Sequence, residues 1–169
     1  MAVVLGAAVY DVRYRRIPNW LSVGGVLLGL ALNSFLWGWP GFRHSLIGFA
    51  VGFFSYLALY MLRAMGAGDV KLMAAVGAIV GMPNWFGIFI VTAIVGGIMA
   101  LILVTVRKRV KSTFWNVGYI LNEMKSGRPA YASKEELDVH HPKAVGLPHG
   151  AVIAVGTLFY LALAAHFAG

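Results

Sequence analysis

Apolar residues fall in uninterrupted runs at about 1–12, 19–39, 44–64, 69–82, 84–106 and 147–168. None alternates with the period of two that marks a half-buried strand or a membrane barrel. Arg/Lys clusters or Pro and Gly stand between the runs, and such residues punctuate helices rather than continue them. A bilayer core offers no water to unpaired backbone groups, so runs of this kind predict helices that cross it. The pattern therefore predicts an all-α, polytopic membrane protein with about six transmembrane helices. The first and fourth runs are shorter than the roughly 20 residues that a hydrocarbon core of about 30 Å takes. There the bilayer thins, or the helices stop partway, or the first run lacks a turn at its start. Glycines spaced four apart (Gly25 with Gly29, Gly48 with Gly52, Gly77 with Gly81) predict close contacts between helices in lipid.

Composition sharpens this picture. Of 169 residues, 60% are hydrophobic and 12% charged, with a mean hydropathy of +0.78; soluble domains carry roughly 25% charged residues. The absence of cysteine excludes disulfides, thiolate metal sites and a cysteine nucleophile. The first ten residues lack a basic flank and a small-residue cleavage site, so they are expected to belong to the mature structure. No repeat, low-complexity tract or second soluble unit is visible, and residues 1–169 are expected to form a single membrane-embedded domain. With six spans, thirteen of the fourteen Lys and Arg fall on one side and only Arg43 on the other. Loops rich in Lys and Arg stay in the cytoplasm, which predicts a cytoplasmic (inner) membrane protein with both termini outside. Topology and contact with an anionic bilayer thus account for a pI near 10.1, and no nucleic-acid partner is expected. In the basic 107–146 loop, Phe114, Val117, Ile120, Leu121 and Met124 recur at helical spacing, as in an amphipathic helix on the headgroups. The stretch from Ser126 to Lys143 is polar.

The acidic residues are few enough to take one by one. Glu123, Glu135, Glu136 and Asp138 all fall in the polar loop, which leaves Asp11 and Asp69. Asp11 closes the first run and Asp69 opens the fourth, so the topology sets both near the cytoplasmic boundary at similar depth. Ionisable groups there are costly and usually face a protein interior, where they pair or work. Two carboxylates a few ångströms apart share a proton, one acting as base toward a water and the other as acid toward a carbonyl. That is aspartyl-protease chemistry. Gly66 and Gly68, in Gly66-Ala67-Gly68-Asp69, admit unusual backbone angles and the close approach of a partner helix or extended peptide. Taken singly, Asp69 reads equally well as a helix N-cap and Asp11 as a snorkelling partner of Arg15 or Arg16. Taken jointly, with no other acid near the membrane, the catalytic reading is the stronger.

The segment Asp11-Val12-Arg13-Tyr14-Arg15-Arg16-Ile17-Pro18-Asn19 resembles the first signature of the type IV prepilin peptidases. Gly66-Ala67-Gly68-Asp69-Val70-Lys71-Leu72 resembles their GxGD signature, and Leu147-Pro148-His149-Gly150-Ala151 is similar to their Pro-aromatic-Gly-Pro segment. With the six-span layout, the resemblance covers nearly the whole chain. It implies a cofactor-free intramembrane aspartyl endopeptidase with Asp11 and Asp69 as its catalytic pair. The implied substrate partner is a membrane-embedded pilin or pseudopilin precursor, cut after a glycine of its basic leader at the cytoplasmic face. Gly66, Gly68 and Lys71 would support the site. Two helical positions from Asp69, however, Lys71 points to nearly the opposite side, which favours a structural role. Pro18 and Asn19 read as the turn and N-cap that start the second span.

Two departures qualify the likeness. The cytoplasmic segment and cysteine pairs of the larger bifunctional members are absent, so the chain resembles the compact branch serving tight-adherence (Flp-type) pili, and N-methyltransferase activity is not expected. His149 stands where an aromatic is commoner and Ala151 where proline is; a packing role for His149 is favoured over tuning of the site. His140-His141 do not suggest a metal, because adjacent imidazoles point apart and no HExxH helix exists. Glu135, Glu136 and Asp138 could steer a basic leader, although a solvated charged loop is the simpler account. The rival readings are a proton-coupled transporter using Asp11 and Asp69 as a relay, and a non-catalytic scaffold.

Overall fold

The computed structural model describes residues 2–62, 65–106, 115 and 149–168. Apart from Trp115, the 107–146 loop with its expected amphipathic helix, its acidic residues and His140-His141 lies outside the described residues, as do Leu147 and Pro148. Among the described residues four helices carry the chain: α1 (Ala2–Tyr14), α2 (Asn19–Met61), α3 (Ala67–Val106) and α4 (His149–Ala168). The protein is all-α, and α2, α3 and α4 are each long and apolar enough to cross a membrane.

The helix boundaries follow local chemistry. Arg15, at φ 54°, ends α1 in a left-handed turn while its N–H donates to the Asp11 carbonyl at 2.9 Å. Proline disfavours helical geometry in the residue before it, so Ile17 stays outside the helices and α2 begins past Pro18. Here the expected cap is corrected. Pro18, not Asn19, is the N-cap, with φ −63° and ψ 135° and no side-chain capping bond. Its carbonyl accepts from the N–H groups of Leu21 at 3.2 Å and Ser22 at 3.4 Å. Asn19 is already helical, and its side-chain oxygen accepts instead from Lys71 Nζ at 2.9 Å.

Two of the expected gaps between spans shrink to one residue each. α2 is non-helical at Gly38, with φ 60° and ψ −140°, and α3 at Gly81, with φ 74° and ψ 171°. Both angles lie where glycine is the favoured residue. In each case a proline follows two positions on (Pro40, Pro83), and its missing N–H breaks the hydrogen-bond ladder. Residues eight apart in a straight helix are separated by about 12 Å. Yet a Cβ placed on Gly41 would overlap the carbonyl oxygen of Asn33, and one on Gly77 would lie 3.2 Å from Trp85 Cδ1. The chain therefore folds back at both bends, and the described residues form six helical segments.

The first arm of α3, residues 67–80, is the hub. Every residue from Leu72 to Ala78 is buried, as expected of a helix that is apolar all round and enclosed on all sides. Both arms of α2 lie against it: a Cβ on Gly29 would meet the Ala78 backbone at 2.7 Å, and Cβ atoms on Gly48 or Gly77 would overlap each other's carbonyl oxygen. Val4 and Ala7 from α1 and Ile153 and Ala154 from α4 complete the core. Outside it, Leu27, Leu32, Phe35, Ile94 and Leu101 are each more than half exposed, an apolar surface suited to lipid.

The α3 bend frees two carbonyls inside this core. Pro83 cannot donate to Ile79, four residues back, and the non-helical Gly81 disrupts the turn above Ala78. Asn33 Nδ2 lies 3.2 Å from each of these carbonyls and 2.9 Å from that of Gly29 in its own helix, so its two hydrogens are shared among the three, and Ser45 Oγ also donates to Ala78. Asn33→Ala is therefore expected to destabilise the fold by about 1–2 kcal/mol, measured by reversible unfolding in bicelles. Ser34→Ala removes only a bond within its own turn, to Leu30, and is expected to have a smaller effect.

Candidate active site

The two acids singled out in the sequence meet in one place. Asp11, in the last turn of α1, is 8% exposed, and Asp69, in the first turn of α3, is 7% exposed. Both line a cavity of about 660 Å³ bounded by the end of α1, the 15–19 connection and the start of α3. Asp11, and His149 at the start of α4, both lie within electrostatic reach of Asp69. The sequence favoured packing over tuning for His149, but its nearness to Asp69 is what tuning would require.

Asp69 is held by its own helix start. Its Oδ2 accepts from the Gly66 N–H at 3.2 Å, while its N–H donates to the Gly66 carbonyl at 3.1 Å. The first bond is the return half of a capping box, and since Gly66 has no side chain to supply the other half, its carbonyl takes the Asp69 N–H instead. The expectation for the two glycines divides accordingly. Neither Gly66 nor Gly68 takes a positive φ, since Gly38 and Gly81 are the glycines that do so among the described residues; a regular cap needs no left-handed residue. The close approach does occur at Gly68, where a Cβ would lie 3.3 Å from Ile17 Cβ. Gly68 thereby lets the 15–19 connection lie against α3 and form the cavity wall.

Asp11 is held by a different helix. The Gly150 N–H donates to its Oδ2 at 2.8 Å, joining the first described helix to the last. Lys71 lines the cavity but is exposed, and its bond to Asn19 ties α3 to the start of α2. Tyr56, which the sequence did not single out, does not line the cavity but is buried in the second arm of α2, 2% exposed, within electrostatic reach of Asp69. No sequence signal distinguished it from its apolar neighbours. Gly150 lay within a motif already marked, but nothing there indicated a backbone bond to Asp11. Among the described residues no group of three or more His, Cys, Asp or Glu is placed to hold a metal ion.

Two carboxylates from separate helices, buried on one cavity and fixed by backbone donors, suit acid–base hydrolysis. The profile of the type IV leader peptidase family matches residues 1–101, more than half of the chain and inclusive of both aspartates. The chain belongs to that family. A prepilin leader peptidase/N-methyltransferase of Myxococcus xanthus is 28% identical over 110 residues, covering 61% of this chain and 32% of that protein. The protein of the same description from Xanthomonas campestris is 29% identical over 110 residues, covering 61% and 38%. The prepilin peptidase EppA of Methanocaldococcus jannaschii is 30% identical over 89 residues, covering 52% and 24%. The match therefore spans about a quarter to two-fifths of these relatives' lengths. No solved structure matches the chain.

The shared cavity generates a test that needs no substrate. The protein has no cysteine, so an Asp11→Cys/Asp69→Cys variant carries the chain's only thiols. A short bifunctional thiol reagent is expected to bridge them within one molecule, seen as a single intramolecular adduct by intact mass. An Asp11→Cys/Phe35→Cys pair, with its second thiol exposed near the α2 bend and about 24 Å along the helix from the start of α2, is expected to take two separate reagents.

Proposed function

We propose that this protein is an intramembrane aspartyl endopeptidase that removes the leader of a type IV pilin-like or pseudopilin precursor, cutting after a glycine at the cytoplasmic membrane face. The observation that carries the reading is the pair Asp11 and Asp69, buried from two different helices on one cavity large enough to admit water and an extended peptide segment. In the proposed reaction a water lies between the carboxylates. One takes its proton as oxygen attacks the scissile carbonyl, while the other, protonated, donates to the carbonyl oxygen. The tetrahedral intermediate then collapses, the C–N bond breaks, and the amine leaves with a proton from the dyad. No covalent enzyme intermediate forms. Methyl transfer is not part of the proposed activity.

Six membrane crossings fit this reading: α1, the two arms of α2, the two arms of α3, and α4. Tyr10, packed at 5.6 Å on Tyr14 and 6.3 Å on Trp20, would lie at one interface, beside the cavity. Trp37 and Trp39, at the α2 bend, would lie at the other, since seventeen helical residues separate Trp20 from Trp37 by about 26 Å. Arg13, Arg15, Arg16 and Lys71 stand at the cavity level and Arg43 at the opposite end, so the positive-inside bias supports a cytoplasmic cavity. The first arm of α3 rises only about 21 Å over its 14 residues. That is short of a hydrocarbon core of about 30 Å, and it supports a dyad reached by water rather than sealed in lipid. The bilayer and the precursor are the proposed partners, with residues 1–169 acting as one membrane-embedded unit.

Purified protein in lipid, given a panel of pilin-like precursors, is expected to release a fragment ending at a leader glycine, read by mass. Asp69→Asn and Asp11→Asn are each expected to lower that rate by about 10³-fold or more while the protein stays folded. Retained cleavage in either variant would sink the mechanism.

A further inference from the structure

A buried carboxylate with rotational freedom is a poor general base, because catalysis requires its oxygen within hydrogen-bond reach of the reacting water. Asp11 sits one turn from the end of α1, beside a connection without regular structure, so its own helix does little to orient it. The orientation comes from α4. Gly150 is the second residue of that helix, and its N–H is one of those that a helix start leaves without an intrahelical acceptor. It reaches Asp11 Oδ2 at 2.8 Å across 139 positions of sequence.

The fit is too close for a Cβ unless Asp11 gives way by a few tenths of an ångström. A Cβ on Gly150 would lie 3.0 Å from both Asp11 Cβ and Oδ2 and 3.1 Å from Cγ. Two of these atoms belong to the stem of the side chain, which cannot swing aside as a flexible tip would. The approach and the hydrogen bond thus depend on the same absent side chain.

We infer that Gly150 is the positioning residue for Asp11: its backbone N–H clamps Oδ2, and its missing Cβ lets the start of α4 close over the carboxylate so that Oδ1 is aimed at the reacting water. The inference rests on the peptidase reading for its catalytic consequence, but the clamp itself is a property of the fold. Gly150 touches no substrate and acts through Asp11. The start of α4 therefore belongs to the dyad as much as the two aspartate-bearing helices do, although it contributes no acid.

Two measurements separate this inference from the reading beneath it. In detergent-solubilised protein labelled with ¹⁵N-glycine, the Gly150 amide proton is expected to resonate downfield, as a carboxylate-bound amide does. It should move upfield in Asp11→Ala while the Gly97 amide stays in place. An unmoved Gly150 resonance would overturn the clamp whether or not any precursor is cut. In the reconstituted protein, Gly150→Ala is expected to lower kcat by about 10²-fold, the cost of misplacing a reacting group by about 1 Å. KM should change little, because the cavity walls at Tyr10, Ile17 and Gly68 are untouched. Gly97→Ala, whose Cβ meets nothing within 4 Å, should cleave as the unaltered protein does. A Gly150→Ala protein with unchanged kcat overturns the positioning role, and so does a loss confined to KM. Should the unaltered protein cut no precursor, the proposed function falls and the amide resonance alone decides the clamp.

Discussion

The structure depends on one constraint: a backbone polar group inside a bilayer must find a protein partner. The sharpest case is the bend of α3, where Gly81 and Pro83 release the Ala78 and Ile79 carbonyls into the core. Asn33 and Ser45, one from each arm of α2, answer them. With those donors present, α3 can fold back on itself and its first arm can be enclosed by all the other helices. The position of Asp69 follows, because that enclosed arm begins at the cavity. A polar network at one end of the bundle thus fixes the helix that delivers a carboxylate at the other.

Helix packing in lipid cannot rely on apolar burial alone, since the surrounding chains are as apolar as the side chains. The molecule relies instead on contact distance. Gly48 against Gly77, and Gly29 against Ala78, bring backbones together where any side chain would overlap a neighbour. The stacked rings of Trp85 and Phe89, 5.4 Å apart, fill the wider space beside the second arm of α3. Close backbone contact on one side and aromatic filling on the other leave the first arm of α3 little freedom to shift.

Much of this was legible in the sequence. The apolar runs gave the helical class, and the scarcity of acids pointed to Asp11 and Asp69 by elimination. The glycine spacing marked the close contacts. What the sequence concealed was of two kinds. Bend geometry was hidden because Gly-x-Pro reads as a loop, whereas Asn33 and Ser45, distant in sequence, make a one-residue bend sufficient. The role of Gly150 was hidden because a backbone N–H looks the same at every residue; only the fold reveals which one faces a carboxylate. Asn19 illustrates the reverse error. Its type suited an N-cap, but proline already occupied that position, and the side chain was left to bind Lys71.

The two aspartates are held in the same way by unrelated elements. Each Oδ2 accepts from a backbone N–H at a helix start, Gly66 for Asp69 and Gly150 for Asp11. A lysine or arginine in either place would bind a carboxylate more tightly, but a full positive charge a few ångströms away would oppose the sharing of a proton between the two acids. A helix start offers directed donors carrying only a partial charge. It can therefore orient the acids without deciding which of them is protonated. The cations near the cavity are disposed accordingly: Arg15, Arg16 and Lys71 are exposed at its rim, and Lys71 is bound to Asn19. Backbone donors hold the pair while these three cations stay at the edge, an arrangement that suits the proposed sharing of a proton between the two carboxylates.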